Sequence, residues 1–264
     1  MRTSWLYELP IWANAALFVI MLLLAAEAGF RIGLRKSDVI ENNEVRGDVT
    51  LGAMLAMLGL LLAFTYAYTL SRADHRKRAT VDEANAIGTA FLRADLVKEP
   101  GRTELRRRLL EYARTRVLTT ATADGVGQAR EAIRRSLKAQ ANLWPATKLA
   151  LQGELPGPIQ ASIVQSINEV LDAHTTRMAV AFDFLPAIVL SLLVLIAATS
   201  LALAAYSAGQ SGGMIRWRMN AFALILAALM LIIVDFDRPY EGLIRWSNES
   251  LVTLVQDMEA TLAD

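Results

Sequence analysis

From Val49 to Leu70 the chain carries no charge for twenty-two residues. A run of that length crosses the hydrocarbon core of a bilayer as a helix. Arg72, Asp74, His75, Arg76, Lys77 and Arg78 follow at once and mark where the helix leaves the membrane. Apolar Val81, Ala84, Ile87 and Phe91 then keep the helical spacing. The pattern predicts one helix that begins in lipid and ends in water, tying a membrane element to a soluble one. Three more apolar segments stand out: Ile11–Phe30, Phe184–Ser207 and Met219–Val234. The last is short for a span and needs Phe236 or Trp217 to complete it.

Helix punctuation divides the soluble stretch. The helix from the membrane reaches about Val97 and stops before Pro100-Gly101. A second is predicted over Thr103–Thr119, with Leu105, Leu109 and Tyr112 on one face. Asp124-Gly125-Val126-Gly127 reads as a turn. A third helix covers Gln128–Leu143, and Gly153, Pro156, Gly157 and Pro158 break the chain again. A fourth, Ile159–Thr176, aligns Ile159, Ile163, Ile167, Val170 and His174. Pro158 suits its first turn, where the missing N–H costs nothing. A tail helix over Glu249–Leu262 aligns Leu251, Val255, Met258 and Leu262. No strand pattern survives. The expected fold is an all-α membrane protein: four transmembrane helices in two hairpins with an inserted helical soluble domain. The expected divisions are a first hairpin at 1–72, a soluble domain at 73–180, a second hairpin at 181–236 and an amphipathic tail at 237–264.

Composition agrees with this split. Hydrophobic residues make up 54% of the chain and charged residues 20%. The absence of cysteine excludes disulfides, thiolate metal sites and cysteine nucleophiles. Net charge is only +1, yet residues 72–177 hold 18 Lys+Arg against 12 Asp+Glu. That surplus fits a solvated helical surface or a basic cavity that concentrates anions. The basic residues are dispersed along helices without a nucleic-acid motif, so no nucleic-acid partner is expected. Basic residues give no single orientation. The short loops hold six, at 31, 35, 36, 46, 216 and 218, which puts the soluble domain outside. Counting the flanks of the long loop (72, 76, 77, 78 and 177) with Arg2, Arg238 and Arg245 gives eight and reverses the answer.

The second span carries a stripe of small residues at Gly52, Ala56, Gly59, Ala63 and Ala67. Gly52, Gly59, Ala63 and Ala67 are the expected helix-packing positions, against this chain's own spans or against another subunit. Leu60 and Phe64 run beside them, one turn apart. On a pore axis they would form an apolar constriction able to gate by dewetting; otherwise they meet lipid or core. Arg72, Arg76, Lys77 and Arg78 read as a basic ring at a pore mouth or as a snorkelling anchor. Asp235, Asp237 and Glu241 read as helix-end caps or as a pair with Arg238 better than as a cation site, and no metal is assigned. His75 and His174 fall near the membrane boundaries; two surface histidines fit better than a pH-sensing pair. No phosphate-binding loop, GxSxG elbow or dinucleotide fingerprint is present, so neither catalysis nor a cofactor is expected.

The run Gly59-Leu-Leu-Leu-Ala-Phe-Thr-Tyr-Ala-Tyr-Thr-Leu-Ser-Arg72, followed by Glu83-Ala-Asn-Ala-Ile-Gly-Thr-Ala90 and Leu92-Arg-Ala-Asp-Leu96, resembles the bestrophin-like membrane proteins of bacteria and plants. Asp235-Phe-Asp-Arg-Pro239 and Gly242-Leu-Ile-Arg245 look like that family's second signature. More remotely, the chain is similar to the bestrophin anion channels, whose second span reads Leu-Leu-x-Phe with an Arg eight residues on; here these are Phe64 and Arg72. The resemblance implies a neck at Ala56, Leu60 and Phe64, where Ala56 departs from the bulky bestrophin pattern. The Trp pair after the Arg is replaced by Ala73 and Asp74. The tail lacks the long acidic run of the calcium-gated members, so calcium gating does not carry over. The resemblance further implies a homo-oligomer, a pentamer around the second spans. It also implies an inner-membrane location with a cytoplasmic domain and termini. The expected function is an oligomeric, anion-conducting channel with an apolar neck on the second span and a basic soluble vestibule; the alternative is a non-conducting sensor or scaffold whose helical domain binds a partner. The expected partners are the lipid bilayer, inorganic anions and further copies of the chain.

Overall fold

The structure is a computed structural model and describes residues 9–36, 44–117, 126–152, 154–210, 216–238 and 248–263. The described residues are helical throughout, joined by turns and short extended links. In chain order the helices are α1 (Ile11–Lys36), α2 (Glu44–Arg93), α3 (Gly101–Arg116), α4 (Val126–Ala141), α5 (Leu143–Ala150), α6 (Gly157–Ala181), α7 (Ala187–Gln210), α8 (Arg216–Asp237) and α9 (Glu249–Ala263). Four of them, α1, α2, α7 and α8, are long and apolar enough to cross a membrane. The all-α class and the four spans expected from the sequence are both present.

Helix α2 has 50 residues, so it is about 75 Å long. The hydrocarbon core is only about 30 Å thick. The uncharged Val49–Leu70 stretch accounts for that thickness, and the charged remainder belongs outside it. The helix gives way to a 3-10 turn at Ala94–Leu96, and Val97 is extended.

The chain divides into two compact units, one holding α1, the span part of α2, α7 and α8, the other holding α2 from Arg72, α3 to α6 and α9. The core of the first is built from Phe18, Leu22, Leu58, Leu193, Leu201, Met230 and Ile233. Its tightest packing lies between α1 and α7. A Cβ on Gly29 would stand 2.0 Å from the Ala202 carbonyl oxygen, and one on Gly33 2.3 Å from that of Tyr206. Gly209 on α7 answers them: its Cβ would lie 2.6 Å from the Phe30 carbonyl oxygen. Only glycine lets these backbones come so close.

The second unit buries Ile87, Leu105, Leu109, Tyr112, Leu143, Ile163, Ile167 and Val170. Pro158 sits in the first turn of α6, as its sequence position predicts. One helix differs from expectation. The sequence predicts a single helix to Leu143, but the chain turns at Asn142 and a separate α5 begins at Leu143. Pro145 falls in that new first turn, where proline is tolerated and the interior of a continuous helix would not tolerate it.

Candidate functional site

Helix α2 has two faces in its span. Leu58, Leu62, Thr65 and Thr69 are buried, at steps of four, three and four that make one stripe. Opposite them Ala56, Gly59, Ala63 and Ala67 are exposed. Leu60 and Phe64 share that side and are 57% and 66% exposed. A Cβ added at Gly52 or Gly59 would meet nothing within 4 Å. The small-residue stripe therefore makes no packing contact inside its own chain at those two glycines. Within the spans, the close-packed glycines among the described residues are Gly29, Gly33 and Gly209, which the sequence reading missed. Their signal was available as a Gly-x-x-x-Gly spacing at the end of the first span.

The basic block does not act as one group. Arg72 is almost fully buried, and its guanidinium lies 3.1 Å from the Asp183 carboxylate. Arg76, also buried, donates to the backbone carbonyls of Val180 (3.2 Å) and Asp183 (3.1 Å). The Val180 carbonyl lies in the last turn of α6, where the helix dipole favours a cation, and Asp183 lies two residues beyond its end. The exposed Arg78 pairs with Asp74 at 2.7 Å. Lys77 and His75 are exposed. Two of the four residues expected at a pore mouth are thus turned into their own unit as struts between α2 and α6.

Arginines elsewhere in this unit are similarly engaged. Arg102 pairs with Glu99, Arg107 and Arg108 with Glu104, Arg108 also with Glu111, and Arg114 with Glu259. Arg106 pairs with Asp95 and sits over the Phe91 ring. The local surplus of basic residues is largely neutralised where it is densest.

At the end of α8, Asp237 is fully buried, and its carboxylate accepts the Leu185 backbone N–H at 2.7 Å. That N–H stands just before α7, so Asp237 ties the end of α8 to the start of α7 rather than capping its own helix. Arg238 donates to the Leu9 carbonyl at 2.6 Å, and Asp235 is buried beside it. Glu241 and Arg245 lie outside the described residues.

The most elaborate polar arrangement is buried in the second unit. Glu83 of α2 is completely buried. One of its oxygens accepts from Arg116 Nε at 2.7 Å and from the Tyr112 hydroxyl at 2.6 Å. The other accepts from Arg177 at 2.6 Å. His174 Nδ1 stands 3.0 Å from the Tyr112 oxygen and 3.7 Å from Glu83, too far for a hydrogen bond to the carboxylate. Arg116 also donates to Ser136 of α4 at 3.3 Å. One carboxylate thus gathers α2, α3 and α6 directly and α4 through an arginine.

Burial alone would raise the Glu83 carboxyl. The nearby His174 imidazole, the charges of Arg116 and Arg177 and the Tyr112 hydroxyl more than reverse this and hold it far below the ordinary carboxylate range. With His174 at 3.7 Å, the two guanidiniums and Tyr112 carry most of that reversal. Burial first, then the Glu83 charge, push the Tyr112 hydroxyl well above its ordinary range, so it remains a neutral donor.

Local sequence explains how these groups come inside. Leu105, Leu109, Tyr112 and Arg116 lie on one face of α3, and Ile163, Ile167, Val170, His174 and Arg177 on one face of α6. Each polar group simply extends an apolar stripe. The alignment of His174 with the isoleucines is legible in sequence, but a surface position for it is not what forms: it is 3% exposed. The Glu83-Ala-Asn-Ala-Ile-Gly88 motif is two-sided. Glu83 and Ile87 point into the core. Asn85, Gly88 and Thr89 line an open groove of about 710 Å³ with Glu249, Ser250, Thr253 and Asp257 of α9. A Cβ on Gly88 would crowd Leu254 at 3.2 Å.

Four apolar spans and a long second helix clamped at its polar half are features of a channel-type membrane protein. The sequence matches the bestrophin-like domain over residues 15–251, and the chain belongs to that family. Solved structures share the fold. One variant of a bacterial bestrophin homologue from Klebsiella pneumoniae is 12% identical with a TM-score of 0.64, covering 96% of this chain and 99% of that one. A second variant of the same protein is 12% identical with a TM-score of 0.63 over 100% of both chains. A structure described as a membrane protein is 11% identical, with a TM-score of 0.63 over 96% of this chain and 99% of that one. No curated protein matches the chain.

Proposed function

We infer that the chain is one subunit of a homo-oligomeric, anion-conducting channel of the bacterial inner membrane, with α2 lining the axis. The observation that carries this reading is the outward face of α2. Leu60 and Phe64 are large, apolar and exposed, on a helix whose opposite stripe is buried. Gly52 and Gly59 beside them have open space where another copy of the helix can approach. Leu60 and Phe64 form the apolar neck, with Ala56 as a wider step above it. Family membership favours a ring of five. On this reading residues 1–72 and 181–236 are the membrane hairpins, 73–180 is a cytoplasmic domain and 237–264 is a cytoplasmic tail. Lys77, with the exposed Arg78 that pairs with Asp74, is what the basic block offers to anions at the inner mouth, while Arg72 and Arg76 hold α2 to the end of α6.

The test is ion flux by the purified protein in liposomes under chloride and sodium gradients. Chloride-selective flux that rises several-fold in Phe64→Ala supports the neck. Unchanged conductance and selectivity in that variant removes it. The neutralised arginines favour a second reading, a non-conducting sensor or scaffold whose helical domain binds a partner. Absence of flux from folded, oligomeric protein favours that reading.

A further inference from the structure

His174 is the buried one of the chain's two histidines, and ion conduction along α2 gives it no task. Its neighbours fix where its protons sit. Glu83 is ionised, and the Tyr112 hydroxyl, 2.6 Å away, donates to it. The Tyr112 oxygen is then left to accept, so the 3.0 Å contact is an N–H donated by Nδ1 of His174. Nε2 is buried without a hydrogen-bond partner. In the neutral ring it is a bare lone pair. A proton there creates a charged donor with no acceptor. It also adds a cation where Arg116 and Arg177 already outnumber Glu83. The charged and titratable groups around His174 are Glu83 of α2, Tyr112 and Arg116 of α3 and Arg177 of α6, with Ser136 of α4 on Arg116. Glu83 approaches His174 from the Nδ1 side and already receives three donors, so it offers Nε2 no relief.

We propose that His174, Tyr112 and Glu83 form a proton-sensitive joint, in which protonation of His174 Nε2 loosens α3 and α6 from the Arg72–Arg93 part of α2. Arg76–Val180 and Arg93–Ser162 bind the same part of α2 to α6, and Arg72–Asp183 binds it just past the end of α6, so the joint is the proton-dependent member of a series. If α2 lines a pore, conduction follows the same proton; that consequence rests on the channel reading.

Two histidines make the test clean, because His75→Gln leaves His174 as the sole imidazole. Nitrogen NMR of histidine-labelled, full-length His75→Gln protein in lipid should show the neutral Nδ1–H tautomer at about pH 8. As the pH is lowered stepwise from about 8 to about 5, loss of that signal should report protonation of the ring. The thermal unfolding midpoint should fall by roughly 5 °C over that range. His174→Asn keeps an amide N–H near the Nδ1 position and has no titrating ring; the fall should vanish there and persist in His75→Gln. An Nε2–H tautomer at pH 8, a flat curve in the parent, or an equal fall in His174→Asn would overturn the joint. Should His174→Asn not fold, the tautomer and its conversion decide alone. Chloride flux from the same liposomes separates the two readings. A titrating joint without flux at any pH sinks the channel and leaves the joint standing. Flux unaffected by pH, beside a titrating joint, removes its control of conduction.

Discussion

Glu83 shows how far one residue's surroundings set its role. Its charge is compensated by Arg116 and Arg177, and its remaining capacity is filled by Tyr112. Glu83→Gln would leave two buried guanidiniums without their counter-charge, a change that costs roughly 3–5 kcal/mol. A drop in the unfolding midpoint of the purified variant checks it; an unchanged midpoint would mean the arginines find other partners. The same carboxylate sets an acid limit. Its folded-state carboxyl is held far below the ordinary range, so the stability it contributes is present above the unfolded value of about 4.3. That contribution is lost as pH falls below this value toward the folded one. Unfolding followed from about pH 5 to pH 2 should show the loss in the parent and not in Glu83→Gln. Reading the sequence alone marks Glu83 as part of a motif but not as buried, because its two arginines lie 33 and 94 residues away.

At the scale of elements, the small residues sort into two kinds that composition does not distinguish. Gly29 and Gly33 face the α7 backbone within 2.0 and 2.3 Å of a would-be Cβ. Gly33→Ala must push α1 and α7 apart and should cost roughly 3 kcal/mol, the upper end for overpacking. Gly52→Ala has open space in the same chain and should leave the subunit's own fold unchanged, or slightly stabilise the helix. Thermal unfolding of both variants makes the comparison. Helix α2 itself was legible from the uncharged run and the continuing apolar spacing. The break that creates α5 was not, since Ile133, Leu137 and Leu143 fit a longer helix until tertiary contacts turn the chain at Asn142.

For the whole molecule, the channel reading makes the outward face of α2 the surface that another copy would cover. Bulk at Gly59 should therefore act on assembly rather than on the subunit. Gly59→Leu is expected to lower the oligomer size measured by light scattering in mild detergent while helix content stays at the parent's level. An unchanged size would place the contact between copies elsewhere and remove α2 from the axis. The arginine struts lead to a related expectation for charge. Lys77→Glu should shift selectivity away from chloride without loss of stability, whereas Arg72→Ala should destabilise the protein first, because its guanidinium is buried against Asp183.

The sequence by itself determined the helical class, the four spans and the family, because these follow from local features: apolar run length, helical spacing, proline and glycine punctuation, and contiguous motifs. Tertiary structure alone decided which arginines face inward, which glycines sit at a helix crossing, and that Glu83, Tyr112, Arg116, His174 and Arg177 meet. The physical reason is common to all three. A residue's type records what it can do, but burial and pairing depend on groups brought together from distant parts of the chain, and a guanidinium reads the same in sequence whether it meets water or a carboxylate.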